Sequence, residues 1–69
     1  MAFNKEKVMD GARKFVEKGQ VDKAIKEFEE AFRLKQVPAL LYNIGLCHRR
    51  AGRPAEAIDF MRRYVELAP

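Results

Sequence analysis

The chain contains two copies of one pattern, displaced from each other by 33 residues. The shift aligns one turn glycine and three apolar positions and almost nothing else: Gly19 with Gly52, Ala24 with Ala57, Ile25 with Ile58 and Leu34 with Leu67. Two segments that agree at a turn and at apolar helical positions, but differ elsewhere, share a packing plan rather than a surface. A period of this length predicts a solenoid of small repeated units.

The second copy, residues 38–69, resembles one tetratricopeptide repeat. The family pattern has a large residue, Leu-Gly and an aromatic residue in the first helix, then Ala, Phe and Pro. The residues at these places are Leu41, Ile44, Gly45, His48, Ala57, Met61 and Pro69. The first copy, residues 5–36, matches more loosely and has Gln36 where the closing Pro would stand. Ankyrin repeats have a similar length, but their Thr-Pro-Leu-His opening is absent.

This resemblance implies an all-α fold with two antiparallel helix-turn-helix hairpins, residues 5–36 and 38–69. The hairpins would stack as a short α-solenoid of four helices, and residues 1–69 would form a single domain. Apolar spacing and helix-boundary residues predict helices over residues 5–18, 21–35 and 38–50, and a fourth from Pro54. The inner side of the fourth helix is expected to carry Ala57, Ile58, Met61, Tyr64 and Val65.

Small residues are expected to set the distance between paired helices. Ala12 and Ala24 in the first hairpin, and Gly45 and Ala57 in the second, occupy positions where two helix backbones can approach closely. A long side chain at either alanine of the first hairpin would force the helices apart.

The composition limits the location of the chain and the chemistry open to it. A single cysteine, Cys47, excludes a disulfide within the chain and favours a reducing, cytoplasmic compartment. No signal peptide or membrane-spanning segment is predicted, because the uninterrupted apolar runs are short. His48 follows Cys47 directly, so on a helix the two side chains point about 100° apart and cannot act on one atom. We therefore predict no enzyme activity, metal site or cofactor, and interpret His48 as a packed residue.

The resemblance implies a concave groove that holds an extended peptide or a partner helix. The groove residues carried over from the family are Met9, Arg13, Val16, Tyr42, Asn43, Leu46, Arg49 and Arg50. Arginine can hold a carboxylate through two parallel hydrogen bonds, so an acidic or C-terminal peptide is the expected ligand. The alternative is that these residues are exposed without a special purpose.

Self-association is a further expectation. Solenoids usually need a polar cap and about three repeats for stability, and no residue follows Pro69 to cover the fourth helix. Apolar side chains on that helix would form the contact in a homodimer or in an exchanged-hairpin dimer: Phe60, Met61, Tyr64, Val65 and Leu67. Burying them in a second chain would stabilise so small a domain.

Two alternatives stay open. All lysines lie in the first 37 residues, whereas residues 38–69 contain only arginine as the basic residue. This asymmetry suggests an excised, chimeric or designed pair of unlike hairpins with no ligand beyond self-assembly. The sequence pI of about 9.5 suggests nucleic acid as an alternative partner. However, the excess charge is only +4 and the basic residues are interleaved with acids.

Overall fold

Four α-helices follow one another in the computed structural model, which describes residues 3–69. Helix α1 spans Lys5–Glu17, α2 spans Val21–Leu34, α3 spans Pro38–Arg50 and α4 spans Pro54–Leu67. Helix α1 packs on α2, α2 on α3, and α3 on α4. Two hairpins, α1–α2 and α3–α4, are therefore joined through α2 and α3. This arrangement confirms the predicted all-α short solenoid.

The helix starts follow from local chemistry. The Asn4 side chain accepts a hydrogen bond of 3.1 Å from the backbone N–H of Lys7, which caps α1. Helices α3 and α4 each begin with a proline, Pro38 and Pro54. Proline is well tolerated there because the first N–H of a helix has no partner inside the helix.

Both hairpins turn in the same way. Gly19 and Gly52 each have a φ of +75°, a left-handed conformation that favours glycine. The residue after each glycine donates its backbone N–H back into the preceding helix, Gln20 to Phe15 at 2.8 Å and Arg53 to His48 at 2.9 Å. This closes the end of α1 and of α3. The turn predicted from the aligned glycines is therefore present twice.

The core lies between the hairpins as well as within them. The buried apolar residues come from every helix, and α2 and α3 contribute most of them: Ala12, Ala24, Ile25, Phe28, Ala31, Leu40, Leu41, Ile44, Cys47 and Ala57. The prediction for α4 was partly wrong, because Ile58 and Val65 were expected on its inner side. Ile58 is 59% exposed and Val65 is 70% exposed, since no described helix packs on that side of α4.

Small residues bring the paired helices close together, as expected. Ala12 and Ala24 are completely buried. A Cβ atom added to Gly45 would lie 2.9 Å from Cε of Met61 and 3.3 Å from the carbonyl oxygen of Ala57. Helices α3 and α4 therefore approach each other at a point where only glycine fits without adjustment of its neighbours.

Candidate functional site

A shallow depression of about 300 Å³ lies between α1 and α3. Its lining combines residues of α1, α2 and α3: Met9, Arg13, Val16, Phe28, Asn43 and Cys47. The α1 members recur at four- and three-residue steps, and the α3 members are four residues apart, so each set lies along one side of its helix. Four of the eight predicted groove residues, namely Met9, Arg13, Val16 and Asn43, therefore come together. We call this depression the α1/α3 groove.

Asn43 is held firmly within the groove. Its Nδ2 donates a hydrogen bond of 2.8 Å to the carbonyl oxygen of Ala39 and lies 3.7 Å from Sδ of Met9. An amide side chain also has a carbonyl oxygen that can accept, and within residues 3–69 that oxygen has no partner. Asn43 therefore links α3 to α1 and keeps one acceptor for a bound molecule.

The charges along the groove differ from the predicted basic floor of Arg13, Arg49 and Arg50. Arg13 lies 3.2 Å from a carboxylate oxygen of Asp10 and 3.8 Å from one of Glu17. All three side chains are well exposed, so each pair contributes little to stability. Arg13 is thus shared between two acids and is only partly available to a ligand.

Arg49 does not join Arg13 in the groove. It lines a different depression, beside α4. The physical reason is helical geometry: each residue turns about 100° around the axis, so Arg49 lies about 200° from Cys47, which faces the groove. The structure therefore places Arg49 away from the α1/α3 groove, where the basic floor was predicted.

Arg50 lies near Cys47, and Cys47 lines the α1/α3 groove. Burial raises the pKa of the Cys47 thiol, and the nearby positive charge of Arg50 opposes this by lowering that pKa. The cysteine is unpaired and buried, so it presents a neutral, apolar surface at ordinary pH. Arg50 itself is exposed, and its three-residue spacing from Cys47 places it on the same side of α3 as the groove.

The remaining predicted groove residues, Tyr42 and Leu46, do not line the α1/α3 groove. The Tyr42 ring contacts the Tyr64 ring at a centroid distance of 5.4 Å and an angle of 54°. Tyr42 therefore faces α4, and Leu46 is half-buried elsewhere on α3. Sequence reasoning missed Phe28 and Cys47 as groove residues. The position of Cys47, one helical turn after Asn43, was the available signal.

A second depression, of about 440 Å³, lies on the exposed side of α4. We call it the C-terminal face, and it consists of Arg49, Ala57, Ile58, Met61, Arg62 and Val65. Two of the five predicted self-association residues, Met61 and Val65, belong to it. The face is apolar at its centre and has an arginine from each of α3 and α4.

The other predicted self-association residues are divided among different surroundings. Phe60 stacks on His48 with ring centroids 5.3 Å apart, and Arg63 lies 4.6 Å from the centroid of the Phe60 ring. His48 thus packs as an aromatic residue, as predicted. Tyr64 is half-buried against Tyr42, and Leu67 lines a depression on another side of α4. The five residues do not form one face.

The described residues offer little for metal chemistry. Among residues 3–69, no three histidine, cysteine, aspartate or glutamate side chains come close enough together to hold a metal ion. None of the four helices in this part of the chain has both the length and the apolar character needed to cross a bilayer.

Comparison with protein families gives one result that covers most of the chain. The sequence matches the family model described as tetratricopeptide repeat over residues 9–69. Comparison with curated proteins and with solved structures gives no match.

Proposed function

The chain belongs to the tetratricopeptide repeat family, whose members are typically non-catalytic interaction scaffolds, and from this premise we propose that it binds another polypeptide through the α1/α3 groove. The observation that carries the proposal is the convergence of Met9, Val16, Phe28, Asn43 and Cys47 in one open depression. Apolar side chains with a few fixed polar groups are the usual composition of a binding site.

The ligand we propose is an extended peptide or helix that carries an apolar side chain and a carboxylate. The apolar side chain would lie over Phe28 and Cys47, and the amide oxygen of Asn43 would accept a hydrogen bond from the peptide. The carboxylate, either acidic or C-terminal, would reach Arg50 and the partly available Arg13. The free Cys47 fits a reducing, cytoplasmic setting for this interaction.

The groove is tested by adding acidic peptides, each with a free and with an amidated C-terminus, and following backbone chemical shifts. We expect shifts at Val16, Asn43 and Cys47, and weaker binding in Arg13→Gln and Arg50→Gln. Loss of one charge-assisted hydrogen bond predicts a weakening of roughly tenfold.

Arg49→Gln is the matched control, because Arg49 is also an exposed arginine of α3 but lies outside the groove. Its affinity for the peptide should equal that of the unaltered chain. Equal weakening in Arg49→Gln and Arg50→Gln would refute the groove assignment, as would shifts confined to α4.

A second candidate function is self-association through α4, and the exposure of Ile58 and Val65 favours it. Apolar surface removed from water contributes about 25 cal/mol per Å², which is substantial for a chain of 69 residues. Sedimentation over a dilution series should show a mass above 8.0 kDa at high concentration that falls on dilution. A mass that stays at the monomer value would remove this candidate.

A further inference from the structure

The C-terminal face is the second copy of a surface that is already an interface inside the molecule. The 33-residue shift relates Ile25 to Ile58, and Phe28 to Met61. In α2 these positions are buried, with Ile25 6% and Phe28 5% exposed, because α2 packs between α1 and α3 and both residues belong to one buried cluster with residues of those helices. In α4 the same residue type, isoleucine, is mostly exposed. The difference in exposure comes from the presence or absence of a neighbouring helix, because residues 25 and 58 are both isoleucine.

The opposite end of the molecule carries residues that the same shift relates to the other side of that internal interface. A depression of about 280 Å³ on the α1–α2 hairpin forms what we call the N-terminal face: Phe3, Asn4, Lys7, Val8, Glu27, Glu30, Ala31 and Leu34. Leu34 is 56% exposed there. The shift relates Val8 to Leu41 and Leu34 to Leu67.

The surroundings of Leu41 and Leu67 indicate which residues of a second copy would contact the N-terminal face. Leu41 and Leu67 of the second hairpin line a depression together with Phe32 of α2. The shift relates Phe32 to Val65. If the internal contact is repeated between two copies, Val65 of one copy therefore meets Val8 and Leu34 of the other.

The charges at the two ends are complementary. Arg49 and Arg62 flank the C-terminal face, and neither forms an ion pair within residues 3–69. The N-terminal face contains Glu27 and Glu30 together with Lys7, and Glu30 is already ion-paired with Arg33. Glu27 is therefore the acid of this face that forms no ion pair within residues 3–69. A two-fold contact between C-terminal faces would bring arginines near arginines, whereas contact between opposite ends brings them near Glu27.

The shift also identifies a specific charge pair. Arg49 is related to Val16, and Asp10 is related to Asn43. Val16 and Asn43 line the same groove within the molecule. A repeated contact therefore places Arg49 of one copy across the corresponding groove from Asp10 of the next, where Asp10 also lies 3.2 Å from Arg13 of its own chain.

We infer that copies of this chain associate head to tail, with α4 of one copy on α1 and α2 of the next. The inference deepens the self-association proposed above and rests on it. Because the two surfaces are different, each added copy presents a further free face, so the contact allows assemblies longer than a dimer. The unaltered protein should therefore reach average masses above twice the monomer value as its concentration rises.

Two single variants, each with one end blocked, test the direction of the contact. Val65→Glu blocks the C-terminal face, and Leu34→Glu blocks the N-terminal face. Both residues are exposed, so both variants should keep their helix content. A carboxylate forced into an apolar contact should weaken association by about tenfold or more. Each variant alone should sediment as a monomer at concentrations where the unaltered chain associates.

Mixing the two variants restores one intact contact, because each contributes the face that the other lacks. We expect a 1:1 heterodimer that does not grow further. Dimers of Leu34→Glu alone would show a two-fold contact through α4 and would overturn the head-to-tail arrangement while keeping self-association. A mixture that stays monomeric would also overturn it. An unaltered chain that is monomeric at all concentrations would overturn both proposals.

The charge pair gives a second, independent measurement. Arg49→Asp should weaken association severalfold, and adding Asp10→Arg in the same chain should restore it, because the attraction is then reversed in sign. Unchanged association in Arg49→Asp would show that Arg49 lies outside the contact.

Discussion

Two glycines in helix interiors should respond differently to the same substitution. Gly11 and Gly45 lie near the middle of α1 and α3. A Cβ atom at Gly11 meets nothing within 4 Å, whereas one at Gly45 meets Cε of Met61 at 2.9 Å and the carbonyl oxygen of Ala57 at 3.3 Å. Gly11→Ala and Gly45→Ala therefore differ only in what surrounds the new methyl group.

The magnitudes follow from two terms. Alanine is favoured over glycine inside a helix by about 1 kcal/mol, so Gly11→Ala should raise the free energy of unfolding by about that amount. At Gly45 the same gain is opposed by overpacking, which costs about 1–3 kcal/mol. Gly45→Ala should therefore lie between no change and a loss of about 2 kcal/mol. In a domain of this size, 1 kcal/mol corresponds to about 4–8 °C in Tm.

The assay is urea and thermal unfolding followed by far-ultraviolet circular dichroism, at a concentration low enough to avoid association. Met61→Ala supplies a further control, because it removes the nearest atom at Gly45. In that background Gly45→Ala should cost less than in the unaltered chain. A Gly45→Ala variant that is stabilised as much as Gly11→Ala would refute the close approach of α3 and α4.

The remaining predictions concern ionisable groups. The free energy of unfolding should fall as the pH rises above about 8.5. The reason is that burial raises the pKa of the Cys47 thiol in the folded state, so the thiol of the unfolded chain ionises first. Urea unfolding at several pH values should show a smaller fall for Cys47→Ala. Asp22→Asn removes the 2.5 Å ion pair with Arg53, and because Asp22 is 77% exposed, urea unfolding should show a loss of no more than about 1 kcal/mol. Arg33 lowers the pKa of Glu30 through a hydrogen bond and its charge, so an NMR titration of Arg33→Gln should find that pKa raised toward its ordinary value.

Local signals in the sequence were sufficient to predict the helices. The first turn of a helix is stabilised by Asn4, Pro38 or Pro54, each at the start of its own helix. The left-handed conformation that each hairpin turn requires is supplied by Gly19 and Gly52. These effects depend on neighbouring residues in the chain. The family resemblance then supplied the order in which the hairpins stack, which the structure and the family match support.

The exposure of the α4 residues could not be predicted in the same way. An apolar stripe identifies one side of a helix but does not tell whether another helix covers it. Ile58 was assigned to the inner side for this reason, and it is exposed because nothing in the described chain packs there. Arg49 and Arg50 raise a related difficulty, since one position changes the direction of a side chain by about 100°. To assign either arginine to a groove, one must know how α3 is oriented about its own axis relative to α1 and α4.

The most direct test of the account is a set of NMR distance contacts in the dilute, unassociated protein. The central claim is that α3 covers the apolar side of α2 while the related side of α4 stays open. It predicts cross-peaks from Ile25 and Phe28 to Leu40 and Ile44, and none between Ile58 and α1. Cross-peaks that join Ile58 to residues of α1 would mean that the four helices close into a bundle, and they would contradict the claim.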